Sequence, residues 1–166
     1  MKLNMKIRKA TREDVPHIIE LLANDSLGAQ RESLQQESLE KYETAFLKIN
    51  ADENNELIVV AKGDRIIGTM QLTFITYLTY QGGKRCQIEG VRIDKAYRGL
   101  GVGRFMVGWA IDKARDRGCH LVQLTMDKKR GETLEFYKKL GFVLLDIKEN
   151  ARSRHPLMLL DMGKFL

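Results

Sequence analysis

The chain has 166 residues and a mass of 19.1 kDa, about the size of one domain. Hydrophobic residues make up 43% and charged residues 30%, a composition that excludes disordered and membrane-spanning chains. No apolar run approaches the ~20 residues of a membrane-spanning helix, and residues 1–6 lack the apolar stretch of a secretory signal. We therefore expect a single cytoplasmic domain over residues 1–166 with no membrane partner.

The net charge of +6 is unevenly distributed along the chain. Residues 1–12 carry five basic and no acidic side chains, residues 13–56 carry three basic and 11 acidic ones, and residues 57–166 are basic again. A nucleic-acid-binding domain presents one basic face, so this pattern argues against nucleic acid as a partner. It predicts separate surfaces for an anionic and a cationic ligand, although solvated helix faces would give the same pattern.

The cysteines and histidines follow no known ligand spacing. Cys86 and Cys119 are too few for a disulfide framework and too far apart for a CxxC motif, so we expect two reduced core residues. His17, His120 and His155 are isolated from one another in the sequence. We predict no metal site.

The first half of the chain begins with a predicted strand and two predicted helices. Residues 5–10 alternate apolar and basic side chains, which is typical of a half-exposed strand, and Thr11 begins a sequence that resembles a capping box. Residues 15–22 place apolar side chains at helical spacing, and residues 34–49 predict a second, acidic helix.

The rest of the chain predicts six more strands and two more helices. Strands are expected over residues 57–61, 66–79, 86–93, 121–126, 142–147 and 157–160, and helices over residues 102–113 and 133–140. Gln81, Gly82 and Gly83 would supply the positive φ of one hairpin, and Gly118 and Gly141 would end the two helices. The first four strands would form an antiparallel meander, and the remaining elements a crossover unit. This order predicts an α/β (mixed α+β) fold with a central, mostly antiparallel mixed sheet of six to seven strands and about four helices.

A glycine-rich loop, residues 98–104, lies between a predicted strand and the strongest predicted helix. Glycines alternate with other residues in it, so its backbone N–H groups can converge on one point at the start of a helix, an arrangement that binds phosphate oxygens. The sequence lacks the Gly-Lys-Ser/Thr of a Walker A motif, and the third glycine of a GxGxxG motif is replaced by Arg104 or Met106, depending on the starting glycine. A glycine-rich connection without a ligand remains the alternative.

The neighbouring sequence resembles a known family. Arg98, Gly101 and Gly103 match the Gln/Arg-x-x-Gly-x-Gly/Ala signature with which the GNAT superfamily of N-acetyltransferases binds acyl-coenzyme A. Residues 89–93 precede this loop at the usual distance, and residues 136–142, FYKKLGF, resemble the family's FYxxxGF segment. The resemblance covers about residues 86–143, and the order of elements is similar beyond them. It implies a GNAT-like three-layer αβα domain that uses acetyl-coenzyme A as cosubstrate.

The resemblance also implies which residues bind the cofactor. The loop would hold the pyrophosphate through its backbone N–H groups, and the preceding strand would offer main-chain groups to the pantetheine arm, as an added strand does. A bulge at Gly90 would open the sheet there. The implied cofactor-binding residues are Val91, Arg92, Ile93, Arg98, Gly99, Leu100, Gly101, Val102, Gly103 and Arg104.

Two residues match catalytic positions of the family. Glu89 would take a proton from the amine, because an alkylamine with a pKa near ~10.4 is charged at neutral pH. Tyr137 would protonate the departing sulfur. Each has an alternative: Glu89 as a solvated or structural glutamate, and Tyr137 as a core tyrosine.

Two positions depart from the family pattern. Arg130 and Thr133 stand where family members commonly carry Asn and Ala. Arg130, with Lys128 and Lys129, would contact the adenine end or the 3′-phosphate of the cofactor. A solvated basic turn is an equal alternative.

The acidic segment, residues 13–56, corresponds to the acceptor side of the family's site. We expect it to attract a small cationic amine, with Glu32 and Glu89 as candidate substrate residues. The predicted function is acetyl transfer from acetyl-coenzyme A to a primary amine by direct attack in a ternary complex, carried out by a monomer or homodimer. The alternatives are acetylation of a protein lysine or N-terminus, and a non-catalytic acyl-coenzyme A sensor.

Overall fold

The structure is a computed structural model that describes residues 4–24, 28–126, 131–145 and 157–162. Two compact units make up the chain: residues 1–72 with 90–107, and residues 73–89 with 108–166. The glycine loop belongs to the first unit, and Glu89, Thr133 and Tyr137 belong to the second. No helix in the described ranges is long and apolar enough to cross a membrane.

The first unit begins with strand β1 (Lys6–Lys9) and helix α1 (Val15–Ala23). Between them, Asp14 accepts a hydrogen bond from the Thr11 N–H at 2.8 Å, and the Thr11 side chain completes the predicted capping box. Arg8 donates to the same carboxylate at 3.0 Å, which lowers the pKa of Asp14. The apolar side of α1 is buried, as its helical spacing predicts.

Helix α2 (Gln36–Ala51) and strand β2 (Asn55–Lys62) complete the core of the first unit. Phe46 of α2 is buried, whereas most of this helix faces solvent. Strand β3 (Arg65–Thr76) follows after a two-residue turn, which requires an antiparallel pair. One cluster of buried core residues comprises Ala10, Val15, Ile18, Ile19, Leu21, Phe46, Val59, Ala61 and Ile66.

The hairpin between β3 and strand β4 (Lys84–Ile93) differs from its prediction. β3 ends at Thr76 instead of Thr79, and the four-residue segment α3 (Thr79–Gly82), a left-handed turn and not a regular helix, follows. Positive φ occurs at Tyr80 (54°), Gln81 (58°) and Gly82 (76°), whereas Gly83 has φ of −65°. The prediction was therefore wrong for Gly83. A Cβ at this position would lie 3.0 Å from His120 Nε2, so any larger residue would have to displace the His120 ring slightly.

Helix α4 (Val102–Asp116) connects β4 to strand β5 (Leu121–Thr125), and helix α5 (Gly131–Lys139) leads to strand β6 (Val143–Leu144). Gly118 and Gly141 have φ of 74° and 93°, which confirms them as helix-ending residues. Strand β7 (Leu157–Asp161) ends the described part of the second unit. Cys86 and Cys119 are buried and free, as predicted.

Seven strands form one sheet in the order β1-β2-β3-β4-β5-β7-β6. β4 and β5 pair in parallel, whereas β1 with β2, β5 with β7 and β6 with β7 pair antiparallel. This confirms the predicted mixed, mostly antiparallel sheet. The insertion of β7 between β5 and β6 was not predicted, because the local sequence pattern contains no information about it.

Candidate active site

The glycine loop starts from a well-fixed turn at the end of β4. Asp94 donates its backbone N–H to the Ile67 carbonyl of β3 at 2.9 Å, and its carboxylate accepts the Ala96 N–H at 2.9 Å. Arg65 Nη2 lies 2.7 Å from the same carboxylate. These interactions lower the pKa of Asp94, the Ala96 N–H being the largest cause. The turn (Lys95–Tyr97) therefore leaves the sheet in a fixed direction.

The loop itself has the conformation that its glycines permit. Gly99 and Gly101 have φ of 74° and 87°, in the left-handed region that other residues rarely adopt. A Cβ at either position would meet no atom within 4 Å, so both glycines border open space. Arg98 Nε donates to the Ile93 carbonyl at 3.2 Å, and Arg104 is exposed. Cations therefore lie at both ends of the loop.

The first turn of α4 provides backbone donors next to this loop. The Phe105 N–H donates to the Gly101 carbonyl at 3.0 Å. The amides of Val102, Gly103 and Arg104 precede it, so they have no acceptor within the helix and point out of its N-terminal end. This end also carries the positive half of the helix dipole. Loop and helix start together fit an anionic phosphate group.

Close packing seats this helix start on the sheet. Val102 and Met106 are 1% and 0% exposed. A Cβ at Gly68 of β3 would lie 2.8 Å from Met106 Sδ and 3.4 Å from the Arg92 carbonyl, so glycine lets Met106 pack here without shifting. The first unit thus brings together the loop, the start of α4 and residues 91–93 of β4. Gly68 is a contributor that the sequence analysis missed.

Strand β4 has the irregularity that the predicted bulge requires. Gly90 has φ of 61° within the strand, a conformation typical of bulge glycines. Val91, Arg92 and Ile93 are half-buried, and Arg92 Nη1 donates to the Val91 carbonyl at 2.8 Å. Their predicted contact with pantetheine remains a prediction.

In the second unit, Glu89 follows the part of β4 that pairs with β5. The parallel register joins residues 85–88 to residues 121–124, and Glu89 is exposed just beyond it. Its carboxylate is therefore open to solvent. An exposed carboxylate can accept a proton through water, which is compatible with a base and also with a solvated glutamate.

Tyr137 is 5% exposed on α5, in the second unit. Its ring packs edge-on against Phe136 and Phe142, with centroids 5.0 and 5.5 Å away. The Phe142 N–H donates to the Tyr137 carbonyl at 3.1 Å, which ties the end of the FYxxxGF segment to this residue. This packing fixes the tyrosine ring, an arrangement that suits both a positioned acid and a core residue.

Of the two residues that depart from the family pattern, Thr133 lies within the described part of the chain and Arg130 does not. Thr133 is half-buried on α5. Arg130, Lys128 and Lys129 lie outside the described residues, so their proposed contact with the cofactor remains a prediction.

In the fold, the acidic segment is partly paired with the basic residues that precede it in sequence. Arg8 pairs with Asp14, and Arg12 Nη2 lies 3.0 Å from Glu43. Glu32 accepts a hydrogen bond from the Tyr42 hydroxyl at 2.6 Å. Burial, followed by this hydrogen bond, raises the pKa of Tyr42. Glu32 is therefore an oriented carboxylate, and the exposed acidic surface of α2 is reduced to residues such as Glu37 and Glu40.

The sequence analysis missed an aromatic cluster in the second unit. The Tyr77 hydroxyl hydrogen-bonds to Nε2 of the buried His120, and the Tyr80 ring centroid lies 4.9 Å from that of His120. The guanidinium of Arg85 lies 4.9 Å from the Tyr77 ring centroid. His120 is thus a core residue with partners. No group of three or more potential ligands that could hold a metal occurs within the described ranges.

Comparison with known proteins identifies relatives along most of the chain. A family model described as "Acetyltransferase (GNAT) family" matches residues 18–142. The crystal structure of a transcriptional regulator from Bacillus halodurans C-125 is 46% identical, with a TM-score of 0.83, over 90% of this chain and 99% of that one.

Two curated relatives are also similar. Glucosamine 6-phosphate N-acetyltransferase of Trypanosoma brucei brucei is 36% identical over 78 residues, which are 47% of this chain and 51% of that protein. Glucosamine 6-phosphate N-acetyltransferase 1 of Oryza sativa subsp. japonica is 30% identical over 108 residues, 63% of each chain. The chain thus spans about half to three-fifths of the length of these relatives.

Proposed function

The chain belongs to the acetyltransferase (GNAT) family, and we propose that it transfers an acetyl group from acetyl-coenzyme A to a primary amine of a small cationic acceptor. The observation that carries this proposal is the glycine loop at the start of α4. Its positive-φ glycines border open space, and the first amides of the helix lack acceptors within it. A pyrophosphate fits such a site in both charge and hydrogen bonding.

Main-chain and side-chain groups of the described residues would bind different parts of the cofactor. The amides of residues 100–104 would hold the pyrophosphate, with Arg98 and Arg104 neutralising its charge. Val91 and Ile93 would pair with the pantetheine arm through their main-chain groups, and Thr133 would lie near the cofactor. Acetyl-coenzyme A supplies the activated acetyl thioester.

Two residues of the chain, Glu89 and Tyr137, would then transfer protons during the reaction. Glu89, directly or through water, would take a proton from the acceptor ammonium, because only the neutral amine has a free electron pair. The nitrogen then bonds to the acetyl carbon, and the carbon–sulfur bond breaks. Tyr137 would give its proton to the departing sulfur, and the proton that the nitrogen loses on becoming an amide would return through solvent to the Tyr137 phenolate. Both cysteines are buried, and neither belongs to a motif of this site, so direct transfer accounts for the reaction without a covalent enzyme intermediate.

The cationic acceptor is supported by the acidic segment, residues 13–56. Glu32 is oriented by Tyr42, and Glu37 and Glu40 remain exposed on α2. The two curated relatives are named for glucosamine 6-phosphate, an amine that also carries an anionic phosphate, so this amine is the comparison to test against polyamines and lysine-like amines.

A kinetic panel tests the acceptor. We expect kcat/KM to be highest for cationic amines, lower for neutral amines and lowest for amines that carry an anionic group. Higher kcat/KM for the neutral or anionic amines would contradict the cationic acceptor while leaving acetyl transfer intact.

A second candidate is a non-catalytic acyl-coenzyme A sensor. The specific observation in its favour is the 46% identity to a protein described as a transcriptional regulator. A sensor would bind the cofactor through the same loop but release no thiol with any amine. Release of coenzyme A that depends on an amine would exclude it.

A further inference from the structure

Arg65 contacts both ends of the turn that leads into the glycine loop. It is the first residue of β3, and its Nη2 lies 2.7 Å from Asp94 Oδ2. The carbon of its guanidinium lies 5.6 Å from the ring centroid of Tyr97. Asp94 precedes this turn and Tyr97 ends it, immediately before Arg98. Arg65 therefore contacts the turn at both ends, and Lys62 Nζ of β2 also lies 5.3 Å from the Tyr97 ring centroid.

Asp94 is itself firmly placed. Its backbone N–H donates to the Ile67 carbonyl, and its carboxylate caps the turn at the Ala96 N–H. The side chain of Asp94 is 15% exposed, whereas that of Arg65 is 61% exposed. The lowered pKa of Asp94 keeps its carboxylate ionised at neutral pH. Arg65 therefore faces an ionised carboxylate at neutral pH.

The loop that follows has little packing of its own. Residues 98–101 are exposed, and neither Gly99 nor Gly101 would bring a Cβ within 4 Å of another atom. Glycine has the most backbone freedom to lose, so the ends of such a loop must fix its shape. The far end is fixed by Met106 packed on Gly68. The near end is fixed by Asp94 and Arg65.

We propose that Arg65 is a positioning residue for the cofactor: by holding Asp94 and Tyr97, it keeps the amides of the glycine loop in the arrangement that receives the pyrophosphate. This inference rests on the proposed function of the loop. Arg65 acts through the turn and not by touching the substrate. Preorganisation of this kind strengthens binding by reducing the ordering that the ligand must impose.

The test measures the affinity for coenzyme A by calorimetry in the full chain. Arg65→Met keeps the length of the side chain and removes its charge; we expect about three- to tenfold weaker binding, with Arg65→Lys in between. KM for acetyl-coenzyme A should rise while kcat at saturation stays unchanged. Arg115→Met is the matched control, because Arg115 also pairs with an aspartate, Asp112, and its side chain is 59% exposed.

Two further readouts separate this inference from the proposed function. Amides of residues 95–103 should exchange hydrogen faster in free Arg65→Met than in the unmodified chain. In an Asp94→Asn background, Arg65→Met should lose less affinity than it does in the unmodified chain, because only its contact with Tyr97 remains to be removed. Normal exchange with affinity within twofold, or a full additional loss in that background, would overturn the inference alone. Failure of the unmodified chain to bind coenzyme A would overturn the proposed function as well.

Discussion

At the scale of single residues, Tyr137 has the clearest chemical role to test. Its ring is fixed by Phe136 and Phe142, so removal of the hydroxyl leaves the packing in place. We predict that Tyr137→Phe lowers kcat about 100-fold, the range of general acid catalysis, with little change in coenzyme A affinity. Steady-state kinetics with calorimetry measure the two effects separately.

A control for this substitution is available in the same unit. Tyr77→Phe also removes a tyrosine hydroxyl, one that hydrogen-bonds to His120, and should change stability while leaving kcat within twofold. An unchanged kcat in Tyr137→Phe would assign Tyr137 to the core and remove it from the mechanism.

Glu89 is the second residue whose role is open to a direct test. If its carboxylate takes the proton from the amine, the rate falls as that carboxylate becomes protonated at low pH. We predict that Glu89→Gln lowers kcat/KM and flattens the acidic limb of its pH profile. Glu135→Gln changes an exposed glutamate of the same unit and should leave both kcat/KM and the acidic limb of its pH profile unchanged. An acidic limb that survives in Glu89→Gln would exclude Glu89 as the base.

At the scale of elements, the glycine loop and the end of α4 offer a matched pair of glycines. Gly101 and Gly118 have φ of 87° and 74°, and at neither would a Cβ meet an atom within 4 Å. Alanine at either position should cost about 1–2 kcal/mol of stability, because its Cβ disfavours the left-handed region. Only Gly101→Ala should also weaken coenzyme A binding, by at least about tenfold. Equal affinities of the two variants would contradict the role of the loop.

The hairpin between β3 and β4 contains strain that a substitution can relieve. Gln81 has φ of 58° without being glycine. We predict that Gln81→Gly raises the melting temperature by about 1–3 °C, because the strain relieved exceeds the added freedom of the unfolded chain. Gln36→Gly at the start of α2 should lower it. A lower melting temperature in Gln81→Gly would show that this turn is not strained.

The sequence predicted most elements, and in this hairpin it predicted the positive φ of Gln81 and Gly82 but neither the end of β3 nor the φ of Gly83. Helices α1 and α4 and their ends follow from apolar spacing and from local signals such as the capping box and Gly118, which act within a few residues. The turn after Thr76 depends instead on Tyr77 meeting His120, a contact between residues far apart in the chain. Arg65 and Gly68 were missed for the same reason, since their partners lie on other elements.

At the scale of the whole molecule, the uneven charge along the chain is only partly retained in the fold. The basic residues Arg8 and Arg12 pair with Asp14 and Glu43, so part of the acidic segment is neutralised within the first unit. Among the described ion pairs, neither Arg98 nor Arg104 has an acidic partner within 4 Å, although the charge of Arg98 contributes to the lowered pKa of Asp94. This distribution supports an anionic cofactor at the loop more strongly than it supports a cationic acceptor at α2.

The central claim is that this chain uses the glycine loop to hold acetyl-coenzyme A and passes its acetyl group to an amine. The most direct measurement is the purified chain with acetyl-coenzyme A and an amine library, following free thiol and the mass of each amine. The account predicts amine-dependent thiol release with an equal amount of amine gaining one acetyl group. Tight coenzyme A binding with no thiol release for any amine would contradict it and favour the sensor.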